Sequence, residues 1–296
     1  MANTFLTPSI IAKEALMVLR NNAVMSKLVH RDYSDEFAAV GDTITIRKPA
    51  SFEAKEFSAL TGIDIQDATE NGSTTVTMDK LLDVSFAVTS KEMTLDIADF
   101  SKQLLVPAMQ AFADKIDKYL IGATANATHR KTHATGAITP DDMIDARKFL
   151  TQNAAPLTDR NFVIGADAEA DLLKSQLFVS AEKVGDNGTA LREASLGRKF
   201  GMDTYVDQNI ERGENGAPSI AFHKNALALV TRPLALPQGA ANAHIENYDG
   251  FALRVVYGYD QDKKTDIVSI DMLCGVKLLD NKLIAVVDDT RQASAV

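Results

Sequence analysis

Residues 89–122, TSKEMTLDIADFSKQLLVPAMQAFADKIDKYLIG, decide how this chain is read. Thr89-Ser90-Lys91-Glu92 has the spacing of a capping box, in which a hydroxyl and a carboxylate three residues on each take up the other residue's backbone N–H. Apolar side chains then recur at Met93, Ile97, Phe100, Leu104, Ala108, Phe112, Ile116 and Leu120. Steps of three and four hold them on one face of a helix. Gly122 is the expected stop, because glycine tolerates the left-handed conformation common at a helix C-terminus. Unbroken, the helix would span roughly 45–50 Å at about 1.5 Å per residue. Pro107 sits inside the run, removes a donor and crowds the preceding turn, so a kink or break is expected there.

Upstream, Val76, Met78, Leu82, Val84, Phe86 and Val88 occupy even positions with mostly polar residues between. This period of two predicts one long strand of roughly 43 Å leading into the helix. Asn71-Gly72 before it is a tight-turn signal. Thr43 to Arg47 alternates as a short strand ended by Pro49. Residues 51–72 show no sustained period and carry Glu53, Glu56, Asp64, Asp67 and Glu70 against Lys55 alone, net −4. A two-stranded excursion with no core of its own is marginal in isolation, so this segment is expected to project and to pair with another chain.

The N-terminus reads as a helix opened by Thr7-Pro8, with proline at its first position. Ile11, Ala15, Val18, Asn22, Met25 and Val29 form a narrow stripe interrupted by Asn22, and such a helix needs a surface to lie on. Lys13, Arg20 and Lys27 recur every seven residues on roughly the opposite face. With Arg31, Glu14 and Asp32 they leave residues 1–34 at net +2. Two readings stand: a solvated face, or a docking face for an acidic partner.

Beyond Gly122, strands and helices alternate. Thr139-Pro140-Asp141-Asp142 starts a helix to about Asn153, 161–165 is a buried strand, and Asp167 caps a helix through Leu173. Met202 to Asp207, Ile220 to Phe222 and Ala226 to Val230 are strands, enough for a small sheet with helices packed on it. Phe251 to Tyr259 and Val268 to Leu278 alternate as long strands, with Cys274 on an apolar side as a small buried hydrophobe. Residues past Asp288 read as a loose, solvated tail carrying Asp288 and Asp289.

Composition narrows the function. The chain has 296 residues, 31 basic and 40 acidic, net −9. An acidic chain is poorly suited to coating nucleic acid with its whole surface. One cysteine permits no internal disulfide. The N-terminus lacks a basic segment followed by an apolar block, so no secretory signal is expected, and no apolar run reaches membrane-spanning length. Phosphate-cradling glycine loops, the hydrolase nucleophile elbow and the helical zinc-protease signature are all missing, so no cofactor, no metal and no enzymatic activity are expected. His129 and His133 have helical metal spacing, but they lie in an Ala/Thr/Gly-rich connector without an adjacent glutamate; a solvated basic loop is the simpler reading.

The order of parts carries a resemblance. Residues 1–19 (MANTFLTPSIIAKEALMVL), 40–49 (VGDTITIRKP), 74–92 (TTVTMDKLLDVSFAVTSKE), 195–210 (SLGRKFGMDTYVDQNI) and 220–233 (IAFHKNALALVTRP) are similar to tailed-bacteriophage major capsid proteins. More narrowly, they resemble the coat-protein family of short-tailed phages. The resemblance implies an α+β chain of the Hong Kong 97-type capsid fold. In it, 1–35 would be an N-arm, 36–73 an extended β-hairpin loop with its entry strand, and 74–123 plus 241–288 a peripheral domain carrying the spine helix (about 90–122). Residues 124–240 would be the α/β axial domain, and 289–296 a tail. It implies a coat protein, made late and assembled in the host bacterial cytoplasm, that forms pentamers and hexamers of an icosahedral shell. That shell would work with scaffolding and portal proteins and would hold double-stranded DNA on its inner face without sequence specificity or a membrane. The alternative is an encapsulin-like shell of the same fold around a non-viral compartment. Under either, Lys13, Arg20 and Lys27 are expected to meet Glu53, Glu56, Asp64, Asp67 and Glu70, with Lys55 beside them, between subunits. Pro107 is then the expected bend of the spine.

Overall fold

The computed structural model describes residues 8–31, 43–47, 52, 54, 62, 73–89, 105–133, 137–175, 196–213, 216–238, 242–248 and 251–289. Strand β12 (Thr265–Leu278) is the axis of the first half of the molecule. Its alternation buries Val268, Ile270, Met272 and Cys274 on one side. Leu273 and Cys274 are paired along both edges, with β3 (Lys80–Thr89) and with β9 (Leu227–Arg232). Strand β11 (Phe251–Asp260) continues the β9 side, and β10 (Asn242–Tyr248) lies outside it. All these pairings are antiparallel.

Two helices cover the apolar face of that sheet. Helix α3 (Val106–Ala123) buries Ala108, Phe112, Ile116 and Leu120 as its period predicts, and Met109 and Ala113 widen the stripe. Helix α1 (Pro8–Asn22) lies against α3, β10 and β11. The expected narrow stripe is in fact broad: Ile11, Ala12, Ala15, Leu16, Leu19, Ala23, Met25 and Val29 are all buried in the same core as α3. The first helical segment is therefore part of the fold's main core within its own chain.

The single long strand expected over 76–88 is two. Strand β2 (Ser73–Thr77) pairs with β1 (Thr43–Arg47), while β3 pairs with β12. Even-numbered residues still face inward across the break, with Val76 and Met78 buried against Ala228 and Val230. The break sits where this backbone crosses β12 at Gly275. A Cβ there would lie 2.5 Å from the Thr77 carbonyl oxygen, closer than any side chain tolerates, so only glycine lets the two backbones approach.

The second half is a six-stranded mixed sheet in the order β4 (Arg130–His133), β13 (Ile284–Asp289), β8 (Ala217–His223), β5 (Arg160–Ile164), β7 (Met202–Val206), β6 (Arg198–Lys199). Helices α4 (Pro140–Gln152) and α5 (Ala166–Lys174) contribute Met143, Ala146, Leu150 and Leu172 to its core, against Phe162, Ile164, Ala221 and Val287. A capping box joins Thr139 and Asp142 at the start of α4, with proline in its first turn as expected. Gly165, not Asp167, is the N-cap of α5; a Cβ at Gly165 would meet Ile210 Cγ2 at 3.0 Å, and Asp167 lies in the first turn.

Four expectations change. Asp288 and Asp289 are not a solvated tail: they end β13 and are fully buried. That strand pairs with β8 and, in parallel, with β4, so 284–288 belong to the sheet of the 124–240 segment, not to the region of 74–123. Gly122 does not stop α3. The helix runs on to Ala123 and closes in a 3-10 turn over Thr124–Asn126, where the Thr124 hydroxyl donates to the Ile121 carbonyl at 2.7 Å. His129 precedes a strand and His133 ends it, in place of a loop; four steps of extended chain separate them by roughly 13 Å, so helical metal spacing does not apply.

Candidate assembly surfaces

The joint between the N-terminal helices and the rest of the chain is built by one carboxylate. Asp117 points from α3 at the start of α2 (Met25–Leu28) and accepts from the Val24 and Ser26 backbone N–H groups at 2.8 and 3.1 Å. It satisfies two donors that a helix start leaves orphaned. Asp117 is 1% exposed. Burial pushes its carboxyl up to about 7, against the pull of those backbone bonds, and neighbouring Asp207 pushes further. Asp207, in the turn after β7, is equally buried and likewise raised by desolvation. One of its oxygens accepts from the Asn209 N–H at 2.8 Å; the other has no hydrogen-bond partner. The Asn209 side chain in turn donates to Asp114 on α3 at 3.3 Å. The sequence reading placed Asp117 on no surface in particular. The one signal was an acid directly beside Ile116 and within one turn of Leu120.

Away from the helices, the β3–β12–β11 sheet shows an open face of odd-numbered β3 residues. Asp83 stands opposite Asp271, and Asp271 opposite Arg254. The Arg254 guanidinium grips Asp271 with contacts of 2.6 to 3.1 Å and also donates to the Ala235 carbonyl, tying the segment after β9 to the sheet. Asp83 accepts from Ser85 and Ser269 at about 3.0 Å. Leu81 and Ile267 are exposed on this same face, so a polar ladder is bordered by apolar side chains.

The outward strip of α1 has a similar mix. Ile10, Lys13 and Met17 follow one another at steps of three and four, and all are exposed. Lys27 is exposed on α2. The Arg20 side chain lies outside the described residues, as do Glu53, Lys55, Glu56, Asp64, Asp67 and Glu70; the charge pairing expected between arm and loop therefore rests on sequence. Pro107 falls in the first turn of the described helix, where its missing N–H costs no helical bond. Thr89, the expected N-cap, ends strand β3, and the rest of the capping box and the helical run to Leu104 lie outside the described residues.

A groove of about 330 Å³ runs between α3 and the end of β12, lined by Lys80, Lys118, Tyr119 and Lys277 among others. Two of its lysines are already engaged, Lys80 with Asp79 and Lys118 with Glu211, each at 2.5 Å. Cys274 is a buried free thiol, pushed up to about 12 by desolvation, which suits a packing residue and not a nucleophile. The His129 ring stacks on Phe149 with centroids 3.7 Å apart. Among the described residues no cluster of three metal-ligating side chains occurs, and no helix is long and apolar enough to cross a membrane.

No family profile matches the chain, and no curated protein matches it by sequence. Solved structures do. A chain from Mycobacterium phage Che8 is 20% identical over 91% of this chain and 92% of its own, with a TM-score of 0.67. The capsid of cyanophage P-SCSP1u is 12% identical over 86% and 85%, with a TM-score of 0.61. An encapsulin complex from Synechococcus elongatus is 10% identical over 87% and 86%, with a TM-score of 0.50. These likenesses span between 86% and 91% of the chain, and the chain has the α+β Hong Kong 97-type capsid fold.

Proposed function

We propose that this chain is the major capsid protein of a tailed bacteriophage, a structural subunit that assembles with copies of itself into an icosahedral shell around double-stranded DNA. The observation that carries this reading is the match to phage capsid structures over 86–87% of the chain. Chemistry agrees with it. The polar ladder bordered by Leu81 and Ile267 and the mixed strip of α1 suit contact between proteins. Closed shells need several different contact surfaces on one subunit, which projecting segments supply more readily than a smooth globule. Scaffolding and portal proteins, assembly in a bacterial cytoplasm, pentamers and hexamers, and descent from short-tailed phages belong to this proposal. The encapsulin-like reading stands second because its representative matches with a TM-score of 0.50 against 0.67. The contents of purified particles separate the two: a phage shell takes up DNA with its packaging partners, whereas a compartment shell copurifies with an enzyme.

The contact proposed between copies pairs Lys13, Arg20 and Lys27 with the acidic 51–72 segment, aided by a spine that bends at Pro107. Reversing all three cations to glutamate is expected to leave the thermal midpoint of the isolated chain nearly unchanged, since exposed substitutions usually shift stability by less than about 0.5 kcal/mol. It is also expected to cut the yield of shells by tenfold or more. Normal shells from the triple reversal would remove the pairing from the account.

A further inference from the structure

We propose that Asp117 is a proton-operated latch that holds the N-terminal helices on α3. The geometry carries the idea. A single carboxylate from α3 receives the first backbone donors of α2, and its neighbour Asp207 comes from the far side, in the turn after β7 of the six-stranded sheet. Three parts of the chain thus meet at two buried carboxyl groups: the N-terminal helices, α3 and the second sheet. A buried charge is ordinarily balanced by a cation or a full set of donors. Among the described residues no cation bonds to either group. The charged group acting on Asp207 is Asp114, which shares Asn209 with it; Lys118, next to Asp117 in sequence, is exposed and held by Glu211. On the N-terminal side Lys27 is turned to solvent, and His30 follows α2 with its backbone bridged to Ala228. One oxygen of Asp207 stays without a partner.

The direction follows from linkage. A carboxyl whose docked state binds its proton more tightly than the released state favours docking at low pH. That advantage is complete below the ordinary carboxylate range and is lost as pH rises through the docked value. For Asp117 the window runs from about 4 to about 7. Across it, release of α2 becomes easier by up to about tenfold per pH unit for one proton. Above the window the ionised pair repels, and freeing the α2 end is the route by which Asp117 reaches water. The inference concerns one subunit and holds whether or not copies assemble, so its failure leaves the shell reading untouched.

Hydrogen exchange of the full-length chain, corrected for the intrinsic pH dependence of exchange, reads the latch directly. Backbone protection over 23–28 is expected to fall steadily between pH 5 and pH 7, by between tenfold and a hundredfold in all, and to level off above. In Asp117→Asn, which cannot titrate and keeps one of the two acceptor oxygens, protection over 23–28 is expected to be lower at pH 5 and its slope to vanish, while protection of β12 stays as it was. In Asp207→Asn the slope is expected to end at lower pH, because the repulsion is gone; this variant carries the test if Asp117→Asn does not fold. A flat wild-type profile overturns the proposal. So does a slope that survives in Asp117→Asn, which would assign it to another group, and so does an Asp207→Asn profile identical to wild type.

Discussion

The six-stranded sheet and the joint beneath the other sheet bury carboxylates in opposite ways. In the six-stranded sheet, Asp288 is met by the Arg130 guanidinium through Nε and Nη2, and Asp289 lies 3.6 Å from Arg212, which also holds Asp167 at 2.5 Å. Asp142 is matched by Lys131 at 2.9 Å and by its capping box. At the joint beneath the other sheet, Asp117 and Asp207 have backbone donors but no bonded cation. A buried charge with its counterion is a fixed connection, and removing one partner strands the other. A buried carboxyl without one answers to protons instead. The second half is therefore stapled to itself, and β13, the last described strand, is fastened to β4 across more than half of the chain. The first half is held by apolar burial and by the Arg254–Asp271 pair, and it is joined to its N-terminal helices by a group that titrates.

The largest expected effects test whether the halves are separate folding units. Phe112→Ala on α3 and Phe162→Ala on β5 each remove a fully packed ring and should each cost about 3–5 kcal/mol. Calorimetry that shows each variant lowering only one of two transitions would make the halves independent; one shared transition shifted by both would make them a single cooperative unit. A loss below about 1 kcal/mol in either would place that ring outside a core.

Next come the carboxylates. Asp288→Asn should destabilise the chain by about 3 kcal/mol by leaving Arg130 without its counterion in a mostly buried site. Asp117→Asn keeps only one of the two acceptor oxygens, so it should cost most at pH 5, where wild type is already protonated, and least at pH 8, where wild type has lost that advantage. Equal losses from both variants at pH 8 would erase the distinction between a staple and a latch. Smaller again is Gly275→Ala, expected to cost about 1–3 kcal/mol by forcing β2 away from β12, measured by denaturant midpoint. A neutral result would mean that the crossing at Thr77 relaxes freely.

What could be read from sequence followed how each residue is buried. Strands β11 and β12 and helix α3 are covered on one side and open on the other, so period two and period 3.6 stand out at Val268, Ile270 and Met272 and at Phe112, Ile116 and Leu120. Strand β13 is buried on both faces, from Ile284 to Asp289, and shows no alternation; its two acids read as solvent-facing until Arg130 and Arg212 are brought to them. Strand β10 is polar and lies at a sheet edge, which leaves no apolar period to find. The split between β2 and β3 depends on a backbone crossing at Gly275, almost two hundred residues away. Asp117 was hidden for the same reason: its partners at Val24 and Ser26 are distant in sequence, and a lone acid on a helix ordinarily faces water. The order of parts, by contrast, is legible in the sequence, and the match to capsid structures spans most of it.

The central claim is that this chain builds a shell. Sedimentation of the purified chain under assembly conditions, followed by electron microscopy of the fast-sedimenting fraction, tests it most directly. The account predicts closed particles of regular diameter with five-fold and six-fold centres; a lone monomer or dimer under every condition, with or without a scaffolding partner, would contradict it.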